Sequence, residues 1–374
     1  MNPPTDTTQR ISRLTPLGEA LARLEAVAAP VAPRQSDAGA AVGATLAADA
    51  VAVAAVPSAP TALRDGWALA SDQITDAGSY APALLPAPPA WVEVGTAMPA
   101  GTDAVLPIDS VTLTKSGAEV HMSATPGEGV LPAGAAIGKG AILRRAGERI
   151  RPGDAAVLRI GGVTSVSVRS PRVSIFSSSV PTRSLADVIT PIIARAAEAE
   201  GCVAQVAQAS SLEAALLDRQ CDAIVTVGGT GGGRQDASIK TLARIGTVEV
   251  YGIGLSPGET VAFGSVNGKP VLMVPGRLDA ALSAFLVLGR VLLARLSGRQ
   301  ESEPVVSAKL KKKVTSTVGI ADVILVGMDE DGVDPIASGF FAGSALARAS
   351  GWILVAPDSE GFASGTVVQV RALP

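Results

Sequence analysis

The chain has 374 residues, of which 47% are hydrophobic and 17% charged, with a formal net charge of −3. That length predicts two to four domains, and the apolar content excludes a disordered tail. Scattered Lys and Arg exclude nucleic-acid binding as a default. Two cysteines, Cys202 and Cys221, and one histidine, His121, supply neither a zinc site nor a disulfide framework, so a reducing cytoplasm is expected.

Residues 1–14 read as a flexible arm without the apolar stretch of a signal peptide. Residues 15–29 read as a helix, with Thr15 as its cap and Pro16 in its first turn. Leu17, Leu21, Leu24 and Val27 share one face of it. The segment 51–139 holds short apolar runs broken by Pro and Gly, a small β-rich module. Within it VTLTKSGAEVHM predicts a hairpin turning at Ser116-Gly117. VTSVSV, near 163–168, predicts a strand.

From Pro171 the pattern alternates. RVSIF (172–176) is a strand, 185–200 a helix, VAQVA a strand, 211–217 a helix and DAIVTV (222–227) a strand. That order predicts a parallel sheet covered by helices. A helix starts near Asp236, and Asn267-Gly268 marks a tight turn between two strands. Residues 278–296 are apolar on most faces and predict a buried helix. Asp49 interrupts the apolar run 40–56, and Arg290 and Arg295 interrupt 280–296, so no membrane span is expected. Residues 303–374 return to β, with a short helix in GSALARASG. Lys311-Lys312-Lys313 reads as a solvated strand face, and Trp67, Trp91 and Trp352 as packing anchors.

The most informative segment is 222–236, DAIVTVGGTGGGRQD. An apolar strand runs into glycines and then into a helix, at the carboxyl edge where α/β sheets bind ligands. Glycines admit backbone N–H groups close to an anion, and a helix N-terminus favours negative charge. The spacing matches neither a dinucleotide fingerprint nor a P-loop. The bland alternative is a tight turn capped by Asp236. Asp65 in ALRDGWA and Asp103 in PAGTDAV are, taken alone, turn residues. His121 is a packed or surface side chain.

Together, ALRDGWA, EVGTAMPAGTDAVLPIDSV, DAIVTVGGTGGGRQD, VPGRLDAALSAF and SGFFAGSALARASGWILVAP resemble the molybdopterin molybdenumtransferase family, the bacterial MoeA proteins and the gephyrin E domain. The ordered set spans about 15–373. The resemblance implies an α/β multidomain fold. An elongated first domain would take 8–50 and 140–170, and a β-rich insertion 51–139. A molybdopterin-binding-like domain would take 171–302, and a C-terminal β domain 303–374.

It also implies insertion of molybdenum from molybdate into adenylylated molybdopterin, assisted by Mg²⁺. The chain would work as a homodimer whose helix 15–29 packs on the partner, and would serve a molybdoenzyme or another protein of the pathway. By match, Asp65 and Asp236 are the catalytic and metal-binding carboxylates. Thr226, Gly228, Gly229, Thr230, Gly231, Gly233, Ser256, Pro275, Gly276 and Arg277 line the pterin site.

Departures are equally specific. Pro181 stands for the family's glutamate in GDEL, and Ala136 for an aspartate. Ser256 and Glu259 stand for the lysine pair of KPGKP, and Arg277 for the asparagine of PGNP. Arg234 and Arg277 are candidates to replace the lysines. The alternative function is a catalytically impaired carrier or scaffold that holds the pterin or the finished cofactor.

Overall fold

The computed structural model describes residues 9–178, 186–301 and 303–374. Its centre is a six-stranded sheet in the spatial order Val203–Val206, Arg172–Ser177, Ala223–Val227, Lys269–Val274, Ala262–Val266 and Thr247–Tyr251. The first four strands are parallel. The last two join by antiparallel pairing, as the Asn267-Gly268 turn between two strands predicts. Asn267 (φ 52°) and Gly268 (φ 74°) explain part of this. A two-residue turn with both angles positive can join only antiparallel neighbours.

The chain leaves strand Arg172–Ser177 for a neighbour on one side and returns to Ala223–Val227 on the other. Strand order therefore reverses between these two strands, and a crevice opens at their carboxyl ends.

One face of the sheet carries Val173, Ile175, Val225 and Leu272 against helix Ala186–Ala199 and the long helical stretch Leu278–Ser297. The other carries Ile224, Val271 and Met273 against helix Ser238–Ile245. The stretch Leu278–Ser297 has a mean hydropathy of 1.7, enough in length and composition to cross a membrane, but 78% of that window is buried in this core. Burial on nearly all sides accounts for its composition without a bilayer.

Helix Leu17–Val27 buries Leu17, Ala20 and Leu24 in the same core. That face of the helix is therefore covered within the chain. Pro16, not Thr15, is the residue ahead of the first turn. Thr15 bridges Ile253, with Thr15 N donating to Gly252 O at 2.9 Å and Gly254 N to Thr15 O at 2.9 Å. The arm is packed from Gln9 onward: Gln9 is buried, and Ile11 fills the space over Gly252 where a side chain would be.

A second core gathers Ala38, Leu46, Ile150, Leu158, Val166 and Val168, around strands Arg34–Asp37 and Ser165–Arg169. Its helix Pro152–Ile160 was not expected from the sequence. A third unit holds strand Gly66–Leu69 between Ala90–Val92 and Ala104–Leu106, with Trp67 and Trp91 edge to face at 5.1 Å. The hairpin Val111–Thr114 with Gly117–Val120 forms beside it, but turns at Lys115-Ser116. Gly117 (φ 142°) is already paired in the second strand.

The C-terminal sheet runs Leu255–Ser256, Ala321–Asp329, Gly351–Val355, Val367–Ala372 and Val305–Lys309. Lys311 and Lys312 lie past the end of Val305–Lys309 and pair with Asp329 and Asp334, so they are not a free strand face.

A buried carboxylate ties helix to linker. Glu200, 6% exposed, accepts from Arg290 at 2.5 Å and Arg299 at 2.7 Å. Arg290 also pairs with Glu303, and Arg371, stacked over Trp352 at 5.0 Å, reaches Glu303 at 3.4 Å. Burial pushes the Glu200 carboxyl up, but the Arg290 and Arg299 guanidiniums outweigh it and hold the group below its ordinary 4.5. Glu200→Gln is expected to lower the unfolding free energy by about 3 kcal/mol at neutral pH, because Arg299 is left without its charge partner. A depressed carboxyl contributes stability above its unfolded value and loses it as pH falls through the folded one. Denaturant unfolding of the two proteins from pH 7 to pH 3 should thus show a gap that is full at neutral pH and closes in acid.

Candidate functional site

The glycine loop leaves strand Ala223–Val227 at the crevice. Gly228 (φ 91°) and Gly229 (φ 72°) are consecutive left-handed residues, which reverse the chain at once. A β-carbon on Gly229 would lie 2.2 Å from Ser238 Oγ and 3.0 Å from Ser178 Oγ, so no side chain fits there.

The carbonyls of residues 228–231 are each tied. Gly228 O accepts from the hydroxyls of Ser178 and Ser238, the latter at 3.1 Å. Gly229 O accepts from Ser238 N at 3.1 Å and Gln9 Nε2 at 2.9 Å. Thr230 O accepts from Tyr251 OH at 3.0 Å, and Gly231 O from Gln9 Nε2 at 3.0 Å. A trans peptide points its N–H opposite to its C=O. The amides of Gly229, Thr230, Gly231 and Gly232 are therefore held away from these ties, and they donate to no protein group among the described residues. Successive amides of that kind form a nest for an anion.

Asp236 does not begin the helix, which runs Ser238–Ile245. Its Oδ2 accepts from Gly233 N at 2.8 Å and closes the loop from inside. A β-carbon on Gly231 or Gly233 would sit 2.7 or 2.9 Å from that oxygen. Asp236 also acts on Tyr251, whose phenol is pushed up by burial first and by this carboxylate second. Thr226 is displaced from its expected place. It sits within the strand, fully buried with no partner for its hydroxyl among the described residues, beneath the loop.

Two further turns stand at the same edge. Pro275 and Gly276 follow strand Lys269–Val274, and Gly228 N donates to Val274 O at 2.9 Å, so they adjoin the loop. Arg277 is exposed, pairs with the buried Asp279 at 2.6 Å and lies over Phe340 at 5.9 Å. Its hydrogen bond to Asp279 raises its pKa, and the charges of Asp279 and Glu259 add to this.

Ser256 and Glu259 belong to the second turn. Ser256 pairs with Asp322 in the C-terminal sheet, and Thr260 meets Thr230 at 3.1 Å through their hydroxyls. Asp322 is buried, and burial pushes its carboxyl up. Hydroxyls of Ser338, Ser256 and Ser316 offset this, and Glu259 adds to it. The site is thus a cleft between the α/β sheet and the C-terminal sheet.

Not every expected residue joins this cleft. Asp65 is exposed on the β-rich unit, where its Oδ1 accepts from Val94 N at 2.7 Å, a turn-capping contact. Ala136 lies in that same unit's exposed return loop, and Arg234 is exposed on the glycine loop. Pro181 and its neighbours Ser179, Val180 and Thr182 lie outside the described residues. No group of three His, Cys, Asp or Glu gathers to hold a metal ion among the described residues. Within one chain, the pair Asp65 and Asp236 does not fit a magnesium site. Asp103 is structural, accepting from Ser71 N at 2.7 Å and Ser71 Oγ at 2.8 Å, and His121 meets Thr112 at 3.1 Å.

Sequence reading missed Gln9, Ser178, Tyr251, Thr260 and Asp322. All act across long chain separations, and none stands in a local pattern. A cavity of about 570 Å³ lies elsewhere, with Arg149, Arg151, Arg290, Arg299, Glu200, Glu301 and Glu303 in its lining. Its charges largely neutralise one another, so it offers no comparable anion site.

Residues 15–162 match the family model of the MoeA N-terminal region (domain I and II), and residues 173–295 match that of a probable molybdopterin binding domain. A putative molybdopterin biosynthesis protein of Methanocaldococcus jannaschii is 32% identical over 154 residues, which is 41% of this chain and 36% of that protein. Molybdopterin molybdenumtransferase 2 of Mycobacterium tuberculosis is 25% identical over 88% of this chain and 92% of its own length. The solved molybdopterin biosynthesis moeA protein from Pyrococcus horikoshii shares the fold, with a TM-score of 0.80 at 24% identity over 97% of this chain and all of that one. Two family models in the expected order, and a fold that superposes over nearly its full length, identify the chain as a divergent member of the MoeA family with a role in molybdenum cofactor biosynthesis.

Proposed function

We propose that this chain binds adenylylated molybdopterin at the cleft beneath the glycine loop and inserts molybdenum from molybdate into it. The observation that carries this reading is the row of four unpartnered amides, Gly229 to Gly232, at the point where strand order reverses. A phosphate group needs such donors, and neutral amides supply them without adding charge. Molybdate enters as substrate, with Ser256, Arg277 and the neighbouring turn as its surroundings. The carboxylates matched to magnesium stand apart in one chain, Asp65 on the β-rich unit and Asp236 in the glycine loop. The product would pass to a molybdoenzyme or another pathway protein in the cytoplasm, where the two free cysteines stay reduced.

Binding of adenylylated molybdopterin, molybdopterin and molybdate, each titrated separately into the purified protein, tests the assignment. Gly229→Val should abolish pterin binding, because its β-carbon meets Ser238 and its φ is left-handed. Its circular dichroism should remain that of a folded α/β protein. Equal pterin affinity in this variant would remove the loop from the site.

Glu259 places negative charge where an oxyanion is to be received. It is exposed, so the repulsion is screened rather than large. Glu259→Lys is expected to tighten molybdate binding by about five- to ten-fold at low salt, with the gain shrinking as salt rises. A salt-independent effect, or none, would show that Glu259 does not face the bound oxyanion.

The working form is assigned as a homodimer, by family resemblance. Helix Leu17–Val27 cannot be its seam through the apolar face, which is already covered. Light scattering at micromolar concentration should give twice the mass of the 37.4 kDa chain. A monomeric mass would remove this assignment.

A further inference from the structure

We propose that Gln9 is a positioning residue for the glycine loop, so that the N-terminal arm is part of the ligand site. The inference rests on the loop being the pterin-phosphate site. Gln9 is only 5% exposed, and both ends of its side-chain amide are engaged. Nε2 donates to Gly229 O at 2.9 Å and to Gly231 O at 3.0 Å. Oε1 accepts from Ile239 N at 2.7 Å and Lys240 N at 3.3 Å.

The donor half sets the direction of two peptides. Gly229 O and Gly231 O both face one nitrogen, so the N–H groups of the same peptides, on Thr230 and Gly232, point away from it. These are two of the four amides left without a protein acceptor. The first of these peptides keeps a second tie, from Ser238 N to Gly229 O at 3.1 Å, and Thr230 beside it is buried. The Gly231–Gly232 peptide has Gln9 as the donor to its carbonyl, and without it can rotate to present that carbonyl instead, which repels an anion.

The acceptor half does different work. Helix Ser238–Ile245 has Ala237 at its N-cap position and no local side-chain cap. Gln9 caps it from more than 220 positions away, taking two of its orphan donors. Those two donors are consequently not the ones offered to ligand. The recognition chemistry sits on the loop amides, and the helix N-terminus serves as the anchor against which Gln9 braces them. The arm is docked by more than this one side chain. Ile11 fills the place of a side chain at Gly252, whose absent β-carbon would meet Ile11 Cγ2 at 2.5 Å. Thr15 is paired with Ile253.

The two halves separate by substitution in the full-length chain. Gln9→Met keeps the length and removes both functions. Gln9→Glu keeps an acceptor for Ile239 and Lys240 but has no donor for the glycine carbonyls. Molybdopterin affinity is read by titration at low salt and at 1 M salt, where charge repulsion by the new carboxylate is screened. Amide hydrogen exchange at Ile239 and Lys240 is read without ligand.

Gln9→Met is expected to weaken molybdopterin binding by about ten-fold and to speed exchange at both amides. Gln9→Glu should leave exchange slow yet weaken binding by a similar factor relative to the unmodified chain at either salt. Binding by Gln9→Glu that matches the unmodified chain at 1 M salt would overturn the proposal, leaving Gln9 as a helix cap only. Tighter binding by Gln9→Met would also overturn it, because Gln9 would then be obstructing the site. If the unmodified chain binds no molybdopterin, the ligand assignment fails by itself. The hold of Gln9 on the loop is then decided by the amide chemical shifts of Thr230 and Gly232, where shifts unchanged in Gln9→Met overturn it.

Discussion

Two consecutive left-handed residues, Gly228 and Gly229, turn the chain back on itself at the end of the central strand, and the rest of the cleft is arranged around that reversal. A residue with a side chain could not follow this path, because the space behind Gly229 is occupied by the hydroxyls of Ser178 and Ser238. Those hydroxyls hold Gly228 O, and so fix the plane of the peptide that carries the Gly229 amide. Tyr251 fixes the next carbonyl but one, and Asp236 closes the far end through Gly233 N. The loop is a chain of peptides oriented one at a time by groups from four different segments. Oriented dipoles that need no rearrangement when ligand arrives are the cheapest way to receive a phosphate.

The second wall of the cleft comes from a topological detail. The two residues Leu255–Ser256 leave the α/β domain and pair in parallel with Ala321 and Asp322 of the C-terminal sheet. The turn that follows, with Glu259 and Thr260, is held by both sheets at once. Thr260 meets Thr230 of the glycine loop, and Arg277 lies over Phe340. Farther off, Glu303 joins Arg290 of the core helix to Arg371 of the C-terminal sheet. The two sheets are therefore cross-linked by hydrogen bonds and ion pairs on both sides of the core.

Periodicity and turn chemistry made much of this legible before any coordinates. The apolar strands at 172–176 and 222–227, the buried helix after Arg277 and the Asn267-Gly268 hairpin each follow from local rules. So does a glycine loop at 228–233 at the carboxyl end of its strand. What failed was whatever depends on distant partners. Thr226 stands in a suggestive motif, but strand alternation turns its side chain beneath the sheet surface rather than into the loop. Asp236 has the type of a helix cap, but it is drawn inward by Gly233. Gln9 has no local pattern at all. Its role exists only because the arm runs beside Gly252 and meets the loop in space. Helix Pro152–Ile160 was hidden because it is short, opens on Pro152-Gly153 and buries only Ala155 and Leu158.

The charge of the cleft explains how such a site tolerates its departures from the family pattern. Around the loop stand Asp236, Glu259, Asp279 and Asp322, with Arg277 and the exposed Arg234 of the loop itself as cations. A lysine-based oxyanion site would be weakened severely by so many carboxylates. A site built on backbone amides is affected less, since amides carry no titratable charge and their strength is set by direction. The carboxylates are also individually occupied. Asp236 accepts from Gly233, and Asp279 is paired with Arg277 and accepts from Ala280 N. Asp322 Oδ2 accepts from Ser338 Oγ at 3.2 Å, and burial pushes its carboxyl toward the neutral form. Glu259 alone is exposed to solvent, where salt screens it. Recognition in this chain thus rests on geometry held by hydrogen bonds, and the groups that set that geometry matter more than the cations that are missing.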